Sequence, residues 1–239
     1  MRKFALIGNR LSHSFSKSFF DKKFANKKNA YSYQNMEVNC ISDLFESPSL
    51  EYLSGFNVTI PFKQDVIPFL DEVKADAQDI GAVNCVKKEG GKWVGYNTDY
   101  IGFTQSIRPF LKKHHKKALI LGSGGAAKAI AFALKHLLKI EFLIISRDSK
   151  ANYECLSQSI IEEHPLIINC TPLGTFPLEE KFPAIPYQWL KNKHLLYDLV
   201  YNPPLSMFLK KGKQYGCQTI NGLDMLYLQA EKSWEIWSD

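Results

Sequence analysis

Two stretches carry residue types able to move a proton. In FNVTIPFKQD, Lys63 follows an apolar run broken by Pro61, and GYNTD ends on Asp99. An ammonium held beside a carboxylate is a proton donor and acceptor of the kind that general acid–base catalysis uses. Further polar residues stand at the ends of apolar runs in the same half of the chain. HSFS supplies His13, Ser14 and Ser16 just after FALIG, Asn57 and Thr59 precede Lys63, and GAVNC supplies Asn84. Period-two alternation predicts Asn57 and Thr59 on one face of a strand, with Phe56, Val58 and Ile60 on the other, towards the core. Ligands of parallel sheets collect beyond the carboxyl ends of the strands, where Ser14, Ser16 and Lys63 fall. Hydroxyls, an amide, a carboxylate and a lysine suit a small, polyhydroxylated, anionic ligand. Each residue also has a plain structural use: Ser14 or Ser16 as a helix cap, Asn84 and Asp99 as turn formers, Lys63 as a solvated surface lysine.

A second chemistry begins at ALILGSGGAAKAIAF. An apolar run enters Gly122-Ser123-Gly124-Gly125-Ala126-Ala127, and an alanine-rich helix follows at once. GxGxxA between a strand and a helix is the spacing of a dinucleotide-binding turn, whose bland alternative is a purely structural turn. Gly122 permits the tight bend, Gly124 lets the backbone approach a pyrophosphate, and Ala127 keeps the helix close to the sheet. Free N–H groups at the helix start face the anion. The next strand ends on Ser146-Arg147-Asp148. An NAD site usually carries an acid there, which accepts from the ribose hydroxyls. An arginine pairs instead with a 2′-phosphate through its planar fork. Arg147 thus points to NADP, while Asp148 keeps NAD open and a surface arginine is the plain alternative.

These residues need elements to position them. FALIG predicts a strand, and SKSFFDKKFAN a helix with Phe19, Phe20 and Phe24 on one side. YSYQNMEV reads as a strand, SDLFESPSLEYL as a helix interrupted at Pro48, and GFNVTI as a third strand. AVNCVKKEGGKWVGYNTD reads as a hairpin turning at EGGK. A helix over 100–111 leads through KKHHKK to a second α/β unit. Its strands are predicted at 118–122, 141–146, 165–169, 194–201 and 217–222, with a last helix over 223–237. The stretch 149–164 is short for a helix, strand and helix, which predicts a strand over 153–156 reached directly and a trimmed adenine side. The class is α/β, in two domains joined near residue 100.

Composition excludes several classes. With 45% apolar and 23% charged residues, 14 Gly and 11 Pro, the 239-residue chain is neither collagen-like, coiled-coil nor disordered. A formal charge of +6 suits anionic ligands, but the lysines are scattered outside KKHHKK and no nucleic-acid motif accompanies them. The five cysteines form no CxxC pair, so neither a metal site nor a redox dithiol is expected. The apolar run in MRKFALIGNR is too short for a signal peptide, and nothing approaches the ~20 apolar residues of a membrane span. A cytoplasmic protein acting on a small molecule, with no membrane or nucleic-acid partner, is the expectation.

In order along the chain, GNRLSHSFS, FNVTIPFK, GAVNC, GYNTDYIGF, LGSGGAAKA, INCTPLG, YDLVYNP and NGLDMLYLQA resemble the shikimate dehydrogenase family. The resemblance implies an N-terminal mixed α/β substrate domain of residues 1–100 plus 224–239. It implies a somewhat trimmed, C-terminal Rossmann-like NADP-binding domain of residues 101–223. The implied reaction is the reversible, NADP-linked reduction of 3-dehydroshikimate to shikimate, on the route to aromatic amino acids. Ser14 and Ser16 would hold the substrate carboxylate, and Lys63 and Asp99 would be the catalytic pair. Thr59, Asn84, Asp99 and Gln229 would bind the hydroxyls and the reacting carbonyl region, with Tyr201 nearby. Gly122, Ser123, Gly124, Gly125 and Ala126 would hold the pyrophosphate and Arg147 the 2′-phosphate, while Thr171, Leu199 and Gly222 would flank the ribose and nicotinamide. Against the family pattern, Lys17 replaces a frequent proline and Ser146-Arg147-Asp148 replaces Asn-Arg-Thr. The competing readings are an NAD-using quinate/shikimate dehydrogenase, a dehydrogenase of an amino-substituted relative of shikimate, and a non-catalytic NADP-sensing regulator. The last would need neither Lys63, Asp99 nor the serine pair. Either a monomer or a homodimer fits.

Overall fold

The computed structural model describes residues 1–11, 14–27, 30–147 and 151–239, so His13 and Asp148 lie outside the described residues. The chain divides into two compact units, Met1–Asp99 with Gln229–Asp239, and Tyr100–Leu228.

The first unit contains β1 (Arg2–Gly8), α1 (Phe15–Lys23), β2 (Tyr31–Glu37), α2 (Ile41–Glu46), β3 (Leu53–Val58), β4 (Glu72–Val73), α3 (Ala75–Ile80), β5 (Cys85–Glu89) and β6 (Lys92–Tyr96). Next come α4 (Asp99–Ile107), β7 (Lys117–Leu121), α5 (Gly125–Phe132), β8 (Glu141–Ile145), α6 (Gln158–Glu163), β9 (Leu166–Asn169), β10 (Leu195–Asp198), α7 (Met207–Gln214) and β11 (Gln218–Ile220). The last helix, α8 (Leu223–Ser238), starts in the second unit and ends in the first.

The first sheet has the order β2-β1-β3-β5-β6-β4. Its β1 pairs in parallel with β2 and β3, while β3–β5 and β5–β6 are antiparallel. The apolar run of β1 needs no polar alternation because both faces are covered. Ala5 and Ile7 enter a core with Ile41, Leu44, Phe56 and Val58, whereas Phe4 and Leu6 enter one with Phe20, Tyr33 and Trp237. Trp237 is fully buried, stacks on Phe4 and donates its indole N–H to the Val86 carbonyl at 2.9 Å. The end of α8 thereby becomes part of this core. Pro48 divides the predicted helix as expected: α2 stops at Glu46 and a 3₁₀ turn covers Pro48–Tyr52.

One expectation fails here. Ile60 is 69% exposed and does not face the core. Strand β3 ends at Val58, and the Thr59 N–H closes on the Ile7 carbonyl at 2.9 Å before the chain turns. Alternation holds only while the strand lasts.

The second sheet, β11-β10-β9-β7-β8, is parallel throughout. Ala118 and Ile120 of β7 pack with Phe103, Ile107, Ala127 and Ile130 on one face. Leu119 and Leu121 pack with Ile161, Phe208 and Leu209 on the other. Strand order reverses between β7 and β9, the switch point at which such sheets bind ligands. The predicted strand at 153–156 is absent. Residues Tyr153–Cys155 form a 3₁₀ turn, because the Asn152 side chain takes the Glu154 N–H at 3.0 Å and competes with extended pairing. No helix among the described residues is long and apolar enough to cross a membrane.

Candidate active site

Lys63 and Asp99 form an ion pair in the first unit. Lys63 Nζ donates to Asp99 Oδ2 at 2.7 Å, with side chains 15% and 7% exposed. The pair is held from both sides by backbone. Val83 N donates to the Lys63 carbonyl at 2.7 Å, tying the turn that bears the lysine to the segment leading into Asn84. Asp99 opens α4, where the positive end of the helix dipole favours its charge, and its own N–H donates to Asn97 Oδ1 at 3.0 Å.

Asn84 is the hub behind the carboxylate. Its Nδ2 donates to Asp99 Oδ1 and to Thr98 Oγ1, both at 2.9 Å, with Gln229 Oε1 at 3.4 Å. Its Oδ1 accepts the Thr98 N–H at 2.6 Å. The amide is fully engaged, so it fixes Asp99 and through it Lys63. Gln229 Oε1 also lies 3.4 Å from Thr98 Oγ1. Ser233, one helical turn on, donates to the Gln229 carbonyl at 3.0 Å and lies 3.2 Å from Thr98 Oγ1. Asn57 donates to Ser233 Oγ at 3.0 Å and to the Asn84 carbonyl at 3.1 Å. Tyr33 spends its single proton on Asn57 Oδ1 at 2.9 Å.

Asn84, Asp99, Lys63 and Gln229 therefore belong to one hydrogen-bonded bed, and Ser16 lies in the first turn of α1. Ser14 caps α1, its Oγ accepting from Lys17 N at 3.3 Å. Thr59 is half-buried just beyond β3, and its carbonyl accepts from Phe62 N at 3.0 Å in the turn that leads to Lys63. Tyr201, half-buried, lies in the second unit after β10. Thr98 and Ser233 escaped sequence reasoning. The available signals were the position of Thr98 inside GYNTD and the four-residue spacing of Ser233 from Gln229, which puts both on one helix face.

The glycine turn lies at the switch point of the second sheet. Gly122 adopts φ +110°, a left-handed conformation that favours glycine. A Cβ there would stand 3.3 Å from the Cys170 carbonyl carbon and from Thr171 Cγ2, which brings the glycine turn beside predicted Thr171. At Gly124 a Cβ would meet nothing within 4 Å, so the N-terminus of α5 is open on that side. Gly125 and Ala126 begin that helix, Ser123 is exposed, and Ala127 is buried against the sheet as expected. Arg147 is exposed just beyond β8. Gly222 approaches Leu199 so closely that a Cβ would lie 2.2 Å from the Leu199 carbonyl oxygen. An open helix start, a backbone turn reserved for glycine and an exposed arginine one strand away fit a dinucleotide carrying a 2′-phosphate. A shallow depression of about 500 Å³ elsewhere in this unit is lined by Ile101, Thr104, Gln105, Arg108, Pro109 and Leu137, none of them a predicted site residue.

Sequence reasoning also missed the polar groups beneath the turn. Asp198, fully buried at the end of β10, accepts from Asn169 Nδ2 at 2.9 Å, Val200 N at 3.0 Å and Ser206 Oγ at 2.5 Å. Burial pushes its carboxyl up to about 6 against those three hydrogen bonds. An aspartate inside the otherwise apolar HLLYDLV was the signal.

A family model described as the shikimate dehydrogenase substrate binding domain matches residues 6–86. The NADP(+) shikimate dehydrogenase of Methanococcus maripaludis is 37% identical over 98% of this chain and 90% of that protein. That of Staphylococcus epidermidis is 36% identical over 99% of this chain and 92% of its own. Among solved structures, a shikimate dehydrogenase in complex with NADP+ superimposes with a TM-score of 0.86 at 32% identity, covering 100% of this chain and 90% of that one.

Proposed function

The chain belongs to the shikimate dehydrogenase family, and from that premise we propose that it interconverts shikimate and 3-dehydroshikimate as an NADP-dependent oxidoreductase. The observation that carries the reading is the Lys63–Asp99 ion pair on a bed of engaged polar side chains. NADPH, when bound, supplies a hydride to the carbonyl carbon. Lys63 Nζ delivers the proton that the carbonyl oxygen then requires, and in oxidation it takes that proton back from the hydroxyl. Asp99 holds the ammonium in place through Oδ2, while Asn84 holds Asp99 through Oδ1. Because Asp99 is anchored before any ligand arrives, no reorganisation is needed as charge moves at the oxygen.

Ser14 and Ser16 are assigned to the substrate carboxylate. Thr59, Gln229 and Tyr201 are assigned to the remaining oxygens. Gly122, Ser123, Gly124, Gly125 and Ala126 would hold the pyrophosphate, Arg147 the 2′-phosphate, and Thr171, Leu199 and Gly222 the nicotinamide half. The same reading takes the protein as a cytoplasmic monomer or homodimer whose partner is its small-molecule substrate.

The test is NADPH formation by the purified protein with shikimate, repeated with NAD+ and with quinate. Turnover highest with NADP+ and shikimate is expected. Absence of shikimate-dependent NADPH formation by folded protein removes the assignment, and a preference for NAD+ removes the role of Arg147.

A further inference from the structure

We propose that Asp198 is a positioning residue for the nucleotide: its buried charge sets the polarity of Asn169, which makes the hydroxyl of Thr171, beside the glycine turn, a hydrogen-bond acceptor. The inference rests on the assignment of the second unit to NADP.

An ionised carboxylate can only accept hydrogen bonds. Asp198 Oδ1 lies 2.9 Å from the Asn169 side chain, in register across β9 and β10. Asn169 must therefore present its NH₂ to Asp198, and that leaves its Oδ1 on the opposite side. There Oδ1 accepts Thr171 N at 3.0 Å and the Thr171 hydroxyl at 2.7 Å. The second Asn169 N–H reaches the Leu173 carbonyl at 3.3 Å, which reinforces the same orientation. The only proton of the Thr171 hydroxyl is thus spent inwards. Its oxygen takes the Leu173 N–H at 3.3 Å and keeps acceptor capacity. Thr171 Cγ2 is 3.3 Å from where a Cβ on Gly122 would stand, so this threonine adjoins the turn assigned to the pyrophosphate. An acceptor there suits donors of the nicotinamide half, the ribose hydroxyls or the carboxamide N–H. A residue at 198 without an acceptor would leave Asn169 free to turn over, and Thr171 would then lose the acceptor for its proton.

Three variants separate polarity from packing. Asp198→Leu removes the acceptor for the Asn169 NH₂ at similar volume and leaves Asn169 free to turn. Asn169→Asp with Asp198→Asn restores an acceptor for Thr171, with the amide introduced at position 198 donating to it, at the expense of the Val200 and Leu173 contacts. Ser206→Ala removes a donor to Asp198 and the cap of α7 but leaves the amide polarity alone. NADP+ affinity is measured by titration of intrinsic fluorescence, beside unfolding temperature and the two KM values.

Asp198→Leu is expected to weaken NADP+ binding about tenfold, the effect of losing one well-placed hydrogen bond, with KM for shikimate within about twofold. The double variant should recover most of the affinity without recovering the unfolding temperature. Ser206→Ala should lower the unfolding temperature with affinity unchanged. Equal affinity of Asp198→Leu and wild type overturns the inference, as does a double variant no tighter than Asp198→Leu. If Asp198→Leu does not fold, the double variant is compared with wild type, and affinity more than about tenfold weaker overturns it. A wild-type protein that binds no NADP+ fails at the assignment of the unit itself. Normal wild-type binding with unresponsive variants fails at Asp198 alone.

Discussion

Lys63 contributes to turnover only through the proton it carries, so its removal separates chemistry from folding. In Lys63→Ala, Asp99 loses its counter-ion but keeps Asn84 at 2.9 Å and the start of α4. The expected outcome is a kcat lower by about 10²–10⁴-fold, with NADP+ affinity unchanged and the fold kept at a lower unfolding temperature. Steady-state kinetics beside thermal unfolding decide it, and a kcat near wild type would remove Lys63 from the proton transfer. Asp99→Asn keeps the shape but removes the counter-ion that orients the ammonium. We expect kcat to fall and KM for shikimate to rise, and unchanged values of both would dissolve the pair as a unit. Lys63, Asp99 and Asn84 were legible because each stands in a short run of distinctive types near an element's end, whereas Gln229, inside α8, was reached only through the family resemblance. Ser233 and Thr98 were not, because their meaning comes from partners 135 residues apart. Ile60 was misread because alternation was extended past the last paired residue of β3.

At the scale of elements, the glycine turn was legible since a positive φ and an open helix start leave the same mark in any sequence. The 3₁₀ turn at Tyr153–Cys155 left none, because one side-chain bond from Asn152 decided it. Gly222 is a sharper case. It joins β11 to α8, and the reason for glycine there is the Leu199 carbonyl, 2.2 Å from a hypothetical Cβ. That neighbour is backbone and cannot swing aside. Gly222→Ala must therefore shift the start of α8 or the end of β10, at a cost of about 1–3 kcal/mol. Since Leu199 and Gly222 are both assigned to the nicotinamide half, NADP+ affinity should fall along with stability. Denaturant unfolding and nucleotide titration of the same variant test this. Wild-type stability would mean that the contact relaxes freely, and wild-type affinity would remove both residues from the nucleotide site.

Across the second unit as a whole, two buried titratable groups make folding stability depend on pH in opposite directions. Burial raises the Asp198 carboxyl from 3.8 to about 6, so the folded protein binds that proton more tightly than the unfolded chain does. Its contribution is fully present below pH about 4 and is lost as pH rises through about 6, a change of up to about 3 kcal/mol. His115 behaves in the opposite way. Burial, with His114 beside it, lowers its imidazole from 6.5 to about 4. Its Nδ1 accepts the Lys112 N–H at 2.9 Å, a bond that the imidazolium cannot keep. Its contribution is present above pH about 6.5 and is lost as pH falls through about 4. Over the shared window the slopes offset each other, and single variants should expose them. Asp198→Asn leaves the histidine alone, so the variant should lose stability on acidification more steeply than wild type. His115→Asn keeps an acceptor for Lys112 N and leaves the aspartate alone, so its stability should rise on acidification relative to wild type. Urea unfolding at a series of pH values between about 4 and 7 measures both slopes. Curves for either variant that run parallel to wild type would show that the corresponding group does not change its protonation on unfolding in that window. Slopes that diverge in opposite directions would establish that the unit carries a buried acid and a buried base whose pH dependences offset each other between about pH 4 and 6.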